Sequence, residues 1–479
     1  MKTQLKKLKI MSLMIGCAIL LVQSCSEDFI DVEANQETED ALTPDRAPEL
    51  VNAVYNSFLQ WEMSSFGWTG LTSIASDDAD KGSIPSDTGT DKNLIDALQL
   101  TPTLISVAEV WRGHYFGIQR ANQAISRISK FDMDPELQTR LIGEARFLRG
   151  LMYFRLVQTY GGVPIIEDIT SLDDINADIL GKKTKEECYA FIEEDLLFAI
   201  DALPLKSEYP ASELGRATKG AAQSLLAKVS MYQSKWDEVL SLTQLVIESL
   251  EYDLTPSYED IWKEISENNI ESIFEIQARG AAPAAGVDKY GTIQGARGEG
   301  GWGWGFNTPS QDLNDTYTAN DLRRDATIMY AGETLYDGRV ISSNVPNPRY
   351  NQKAYSSVLT ESEQTGKNVR ILRFAEVLLM NAEAKSILGG DVATPLTRVR
   401  LRAGLNAATD LSTLAIWEER RLELAFEHDR YFDLVRQGRA AMVLNSKGIP
   451  FVEGKHEVFP IPQEQIDISG GALIQNPNY

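Results

Sequence analysis

The sequence predicts a mostly helical protein: an array of packed helical hairpins that carries long irregular loops and a few short strands. Three observations lead there. Apolar residues recur at spacings of three and four through most of the segments 106–251 and 369–437, the period of a helix with one buried face. Two such segments meet at Gln233-Ser234-Lys235, as in a helical hairpin. Between the periodic segments lie long stretches rich in Gly, Ser, Asp and Thr, and loops that long in a packed protein are usually functional.

The elements follow in order. A first helix is expected near 48–61, then an irregular loop over 62–104. From about 106, Trp111, Tyr115, Ile118, Ala121, Ile125 and Ile128 mark one helical face. Over 136–159, Leu141, Ala145, Leu148, Met152 and Leu156 mark the next. Pro135 suits its first turn, and Gly161-Gly162 with Pro164 end it. The stretch 184–203 turns Cys188, Phe191, Ile192, Asp195, Leu196, Ala199 and Leu203 inward and stops at Pro204. In 216–251, Leu226-Ala227, Tyr232, Trp236-Asp237-Glu238 and Leu240 fall where a tetratricopeptide repeat places its small residue, its aromatics and the start of its second helix. A small residue lets two helices approach.

A second hairpin is expected at 369–403, turning at Gly389-Gly390, and one long helix at about 412–437. Its charges include opposite-sign pairs three apart, each worth about 0.2–0.5 kcal/mol on a helix surface and more where arginines thread between packed helices. Residues 270–276 read as a strand. Residues 280–309 are rich in Gly, Ala and aromatics, 307–370 read as loops, and the end from Phe459 to Tyr479 reads as extended.

The N-terminus carries four lysines and no acid, then an apolar run from Ile10 to Val22 and Gln23-Ser24-Cys25. That is a secretory signal, too short for a membrane span of about 20 residues. Residues 1–24 are assigned to the signal, and Cys25 to lipidation in the manner of a bacterial lipobox. Several acyl chains on one cysteine anchor firmly, since each buried CH₂ adds about 0.8 kcal/mol. Residues 25–47 form an acidic tether.

The chain has 46 basic and 69 acidic residues, a net charge of -23. Such a body does not attract nucleic acid or anionic lipid by charge. With Cys17 in the signal and Cys25 lipidated, Cys188 has no disulfide partner. The apolar core must supply the stability.

Gly298-Glu299-Gly300-Gly301-Trp302-Gly303 matches a dinucleotide pattern only formally, because no strand precedes it directly, no clear helix follows, and Trp302 fills the phosphate loop. Asp77-Asp78-Ala79-Asp80 lacks the spacing and closing Glu of a calcium loop, so no metal is assigned. His114, His428 and His456 lie far apart without a catalytic motif. No cofactor is expected.

Several segments resemble the SusD/RagB family of Bacteroidetes lipoproteins. They are Glu144-Ala-Arg-Phe-Leu-Arg-Gly-Leu-Met-Tyr-Phe-Arg-Leu-Val-Gln-Thr-Tyr-Gly-Gly-Val-Pro164, Gly215 to Ala222, Arg373 to Ala384, Val399 to Leu405, Glu418 to Glu427, Arg430 to Arg436 and Gln475 to Tyr479. The resemblance implies a tetratricopeptide-like scaffold, with an N-terminal region at 48–255 and a loop-rich C-terminal region at 256–479. It implies a non-enzymatic binding protein on the outer face of the outer membrane. Such a protein takes a glycan or peptide ligand and delivers it to a SusC-like TonB-dependent transporter. Acidic residues after Cys25 resemble a signal for that surface display. A surface glycoside hydrolase and a protein-binding scaffold without a small ligand are the competing readings.

Sugars pack their C–H faces on flat rings while polar groups bond the hydroxyls. On that chemistry the ligand-binding candidates are Trp68, Tyr290, Trp302 and Trp304, with Asp77, Asp78 and Arg297 as polar partners. Trp302 and Trp304 serve equally well to pack their loop. Trp61, Trp111, Trp236 and Trp262 lie on helical faces and are assigned to packing.

Overall fold

The helices begin where the sequence provides caps. In the computed structural model, which describes residues 43–167, 176–279, 286–357 and 366–479, α1 spans Ala47–Ser57 and α2 spans Ile105–Ile128. Helix α3 (Pro135–Tyr160) starts on Asp134, whose carboxylate accepts from the Leu137 amide, and stops at Gly161. Helix α4 (Lys185–Ala202) opens with a reciprocal Thr184–Glu187 capping box. Helices α5 (Lys219–Tyr232) and α6 (Trp236–Glu248) form the hairpin expected at Gln233-Ser234-Lys235. Then come α7 (Phe374–Leu388), α8 (Ala393–Arg402), α9 (Thr413–Leu424) and α10 (Arg430–Arg436).

Residues 1–47 and 48–479 are two separate units. Of the first, only a 3₁₀ turn at Pro44–Arg46 and its immediate neighbours are described. The signal, Cys25 and most of the acidic tether lie outside the described residues.

From α2 to α6 each helix packs on the next: α2 on α3, α3 on α4, α4 on α5, α5 on α6. Helix α6 then packs on α7, although the segment 249–373 intervenes. The hairpin array therefore runs through that segment without a break, and α7 passes it on to α8 and α9. Ala227 is fully buried at the hairpin, as a close helix approach requires. The few strands form three antiparallel pairs: β1 (Ala79–Gly82) with β3 (Phe306–Pro309), β2 (Ser272–Ile276) with β6 (Val369–Arg373), and β4 (Ile328–Tyr330) with β5 (Arg349–Asn351). Among the described residues, no helix is long and apolar enough to cross a membrane.

Three local expectations change. Residues 62–104 are not merely loop: they hold short helices at Trp61–Ser64 and Phe66–Thr69, a π turn at Gly70–Ile74 and strand β1. Leu372 lies in β6, and its helix starts only at Phe374. The long helix at 412–437 is two helices, broken where Phe426 (φ 64°) and His428 (φ 72°) turn left-handed. The break points Glu427 into the interior, where it accepts from Arg373 Nε at 2.7 Å and Lys353 Nζ at 2.8 Å.

The charges of α9 and α10 are likewise not surface pairs. Arg420 and Glu423 are almost fully buried. Glu423 takes Arg373 at 3.1 Å and Arg323 at 3.3 Å and also pairs with Arg402. Arg420 bridges Glu376 and Asp433, each at 2.7 Å. On the other side, Arg430 clasps both oxygens of Asp77 at 2.8 Å. Arg421 reaches Asp78 at 2.7 Å and Asp312 at 2.8 Å. These contacts fasten the segment 62–104 to α9 and α10.

Burial by itself raises a carboxyl pKa. At Glu423 the surrounding Arg402, Arg373 and Arg323 outweigh burial and hold it at about 2. Asp433 is held at about 2 by Arg420 and Arg436 in the same way. A depressed folded pKa stabilises fully above the unfolded value of about 4 and loses that contribution as pH falls toward 2. Acid titration followed by circular dichroism is expected to show stability falling through that window. Glu423→Ala leaves buried guanidinium groups unmatched, with an expected loss of about 3–5 kcal/mol in urea unfolding. Asp77→Ala is expected to cost a similar about 3–5 kcal/mol, because it strips Arg430 of its bidentate partner.

Candidate functional site

The structure sends the predicted site residues to different places. Trp68 is 3% exposed. Its ring lies 5.6 Å from His114 and 6.3 Å from Phe432, with the Arg155 guanidinium 4.6 Å over it. Asp77 and Asp78 are spent on Arg430 and Arg421 and are 4% and 2% exposed. These three residues are part of the packed, charge-matched interior.

Tyr290 opens a short helix at Tyr290–Gln294 and hydrogen-bonds His428 Nε2 at 3.0 Å. Thr72 donates its one hydroxyl proton to the Trp68 carbonyl at 2.7 Å and lies 2.7 Å from His428 Nδ1. His428 Nδ1 therefore carries the proton toward Thr72, and Nε2 accepts from the Tyr290 hydroxyl. Burial pushes His428 down to about 3, so the ring is neutral at physiological pH. Arg297 donates to Ser83 Oγ at 2.6 Å and Asp87 Oδ2 at 2.8 Å. Tyr290 and Arg297 thus pin the segment 286–306 at two points.

Trp302 and Trp304 pack into different clusters because the chain bends at Gly303; on a regular strand, residues two apart would share a face. Trp302 packs beside Ala296, Met329 and Tyr350, with its ring 5.1 Å from Tyr355. Gly295 lies so close that a Cβ there would sit 2.5 Å from Trp302 Nε1. Trp304 joins Trp61, Phe66 and Phe306 instead. Its ring is 6.2 Å from that of Trp61, tilted by 55°.

Trp61 is the partner that sequence reasoning assigned to packing. It starts a four-residue helix at the mouth of the segment 62–104, beyond the end of α1. Its position after the last periodic residue of α1 was the available signal. Its indole N–H donates to Glu109 Oε1 on α2 at 3.1 Å, and burial raises the pKa of that carboxyl. Gly113 of α2 admits the chain here, since a Cβ would lie 2.7 Å from the Glu62 backbone. Lys289 stands 5.4 Å from the Trp304 ring and 5.9 Å from Trp61. The Asp288 amide donates to the Leu59 carbonyl at 3.0 Å, fixing the two segments together.

Beside the Trp61 ring, against which Trp304 packs, opens a cavity of about 690 Å³. Trp61, Gln60, Glu62, Gln277, Arg279 and Asp288 are among its walls. An aromatic corner with amide and charged groups around it can hold a flat, partly apolar and heavily hydroxylated molecule.

Residues 28–231 match a family model described as SusD-like, starch-binding and associating with the outer membrane. Residues 270–479 match the SusD family model. A SusD-like protein of Bacteroides ovatus is 28% identical over 468 residues, covering 88% of this chain and 81% of the relative. A SusD-like protein of Formosa agariphila is 25% identical over 426 residues, covering 76% and 78%. Among solved structures, a laminarin-binding SusD-like protein superposes with a TM-score of 0.79 at 28% identity, covering 91% of this chain and all of the other. Surface glycan-binding protein A from Bacteroides thetaiotaomicron, in complex with laminarihexaose, gives 0.76 at 27% identity with the same coverage. With two matched models spanning most of the chain and the hairpin array shared with solved relatives, this chain belongs to the SusD/RagB family, which is associated with the outer membrane.

Proposed function

We propose that the protein binds an oligosaccharide at the Trp61–Trp304 corner and holds it without cleaving it. The observation that carries this reading is the Trp61 indole in the wall of a large, mostly polar cavity, with the Trp304 ring tilted against it. Two solved relatives bear names of glycan binders, for laminarin and laminarihexaose, so laminarin-type glucans are the first ligands to try. In this reading Cys25 carries the lipid, the body faces the cell exterior, and the bound glycan passes to a SusC-like TonB-dependent transporter. Of the residues named from sequence, Trp304 touches the ligand, whereas Tyr290, Arg297 and Trp302 shape the segment that presents it.

Calorimetry of the mature protein against glycan and peptide panels tests the ligand class; binding of peptides alone would replace the glycan reading. Trp304→Ala and Trp61→Ala are each expected to weaken glycan affinity by about tenfold or more, about 1.4 kcal/mol. Trp302→Ala is expected to lower the thermal midpoint and to leave affinity largely intact. Product release from the same glycans would instead favour a hydrolase. For the anchor, Cys25→Ser is expected to move the protein from the detergent phase to the aqueous phase on phase separation of cell extracts. Copurification of a barrel protein with the lipidated form is the expected sign of the transporter.

A further inference from the structure

A second cavity, of about 320 Å³, lies beyond the first. The two share Asn56 and Gln277 in their walls, so they adjoin at these two residues, the neck between them. Helix α1 and the turn after it form a common wall: Asn52, Tyr55 and Phe58 face the second chamber, Leu59 to Glu62 the first. The second chamber has an apolar floor of Phe58, Phe274 and Ile276, all less than 5% exposed. Its rim is polar or open, with Asn52, Ser212, Leu214 and Arg216.

This chamber is built and locked. The Tyr55 hydroxyl donates to Glu144 at 2.9 Å and accepts from the Ala217 amide at 2.8 Å. Arg216 pairs with Glu144 at 2.9 Å and reaches Asn52 at 3.2 Å. Gln277 exchanges amide hydrogen bonds with Asn268 at 2.8 and 3.0 Å. Gly215 has φ +97°, and a Cβ there would lie 2.3 Å from the Gln277 side chain. Only glycine lets the segment 212–216 close against the neck. Walls already fixed lose little conformational freedom when a ligand arrives.

The geometry points to one continuous cleft that takes an extended oligosaccharide, with one end at the Trp61–Trp304 corner and further sugar units in the Tyr55–Phe274 chamber. This rests on the glycan reading above and adds selection by chain length. Single small-molecule sites span on the order of 300–1,000 Å³; each chamber reaches that range alone, so a compact ligand would leave one empty. A flat apolar floor with a polar rim repeats, in the second chamber, the chemistry that suits a sugar ring. Short chains occupy the corner only, and longer chains pass the neck and gain the second set of contacts.

The test is calorimetry on the mature protein with ladders of laminari-, cello-, malto- and xylo-oligosaccharides, from two units to seven. Affinity is expected to rise by about tenfold or more from the shortest to the longest chain of the bound ladder. Leu214→Trp and Ser212→Trp, both at exposed rim positions, fill the second chamber. Each is expected to abolish that rise and to keep the short-chain affinity. Trp304→Ala is expected to lower the affinity for every length. A length dependence unchanged in both rim variants overturns the proposal, as does a wild-type affinity that is flat with length. If Trp304→Ala changes no affinity while the rim variants do, the corner reading fails and the second chamber stands. Absence of binding to any ladder overturns both.

Discussion

Arg373 is the point on which the tertiary structure turns. Its guanidinium sits at the end of β6, 1% exposed, among the carboxylates of Glu271, Glu423 and Glu427. A charge so far from water persists only when matched. Here the matches come from the start of β2, from α9 and from the break after α9. Lys353, Arg402 and Arg323 complete the set by sharing Glu427 and Glu423. One network thus ties the segment 249–373 to the helical array, and its geometry is bidentate and directional in a way that an apolar contact is not.

The consequence reaches the cleft through short steps. Glu427 can meet Arg373 and Lys353 only if the chain leaves its helix, and the left-handed turn that follows places His428 inside. His428 holds Thr72 on one side and Tyr290 on the other. Thr72 belongs to the π turn that follows Trp61 and Trp68, and Tyr290 opens the segment that ends in Trp304. The two indoles come from distant parts of the chain, and a neutral, buried imidazole lies between the segments that carry them. Arg430 and Arg421 secure the same arrangement from the other flank through Asp77 and Asp78. The acidic residues that looked like ligand partners are instead what keeps the aromatic corner in register.

Helix positions were legible because a one-sided apolar period depends only on near neighbours. The α5–α6 hairpin and the ends of α3, at Pro135 and Gly161-Gly162, followed from local chemistry. The break between α9 and α10 was not legible: its charges fit a surface helix equally well, and only the arginines arriving from β6, α8 and the 323 region make it interior. Trp61 and Trp304 show the same limit. The turn position of Trp61 was the one local signal, and nothing local named its partner, because their rings meet across distant parts of the chain.

The sequence by itself determined the acidic charge, the helical hairpins and the family resemblance, since each is written in the residues themselves. Only the tertiary structure decided which aromatics meet, that Trp302 and Trp304 part company, and that Asp77 and Asp78 are structural. It also decided that two cavities have Asn56 and Gln277 in common in their walls. Those outcomes depend on pairings across long stretches of chain, where burial and charge matching choose among partners that look alike in one dimension.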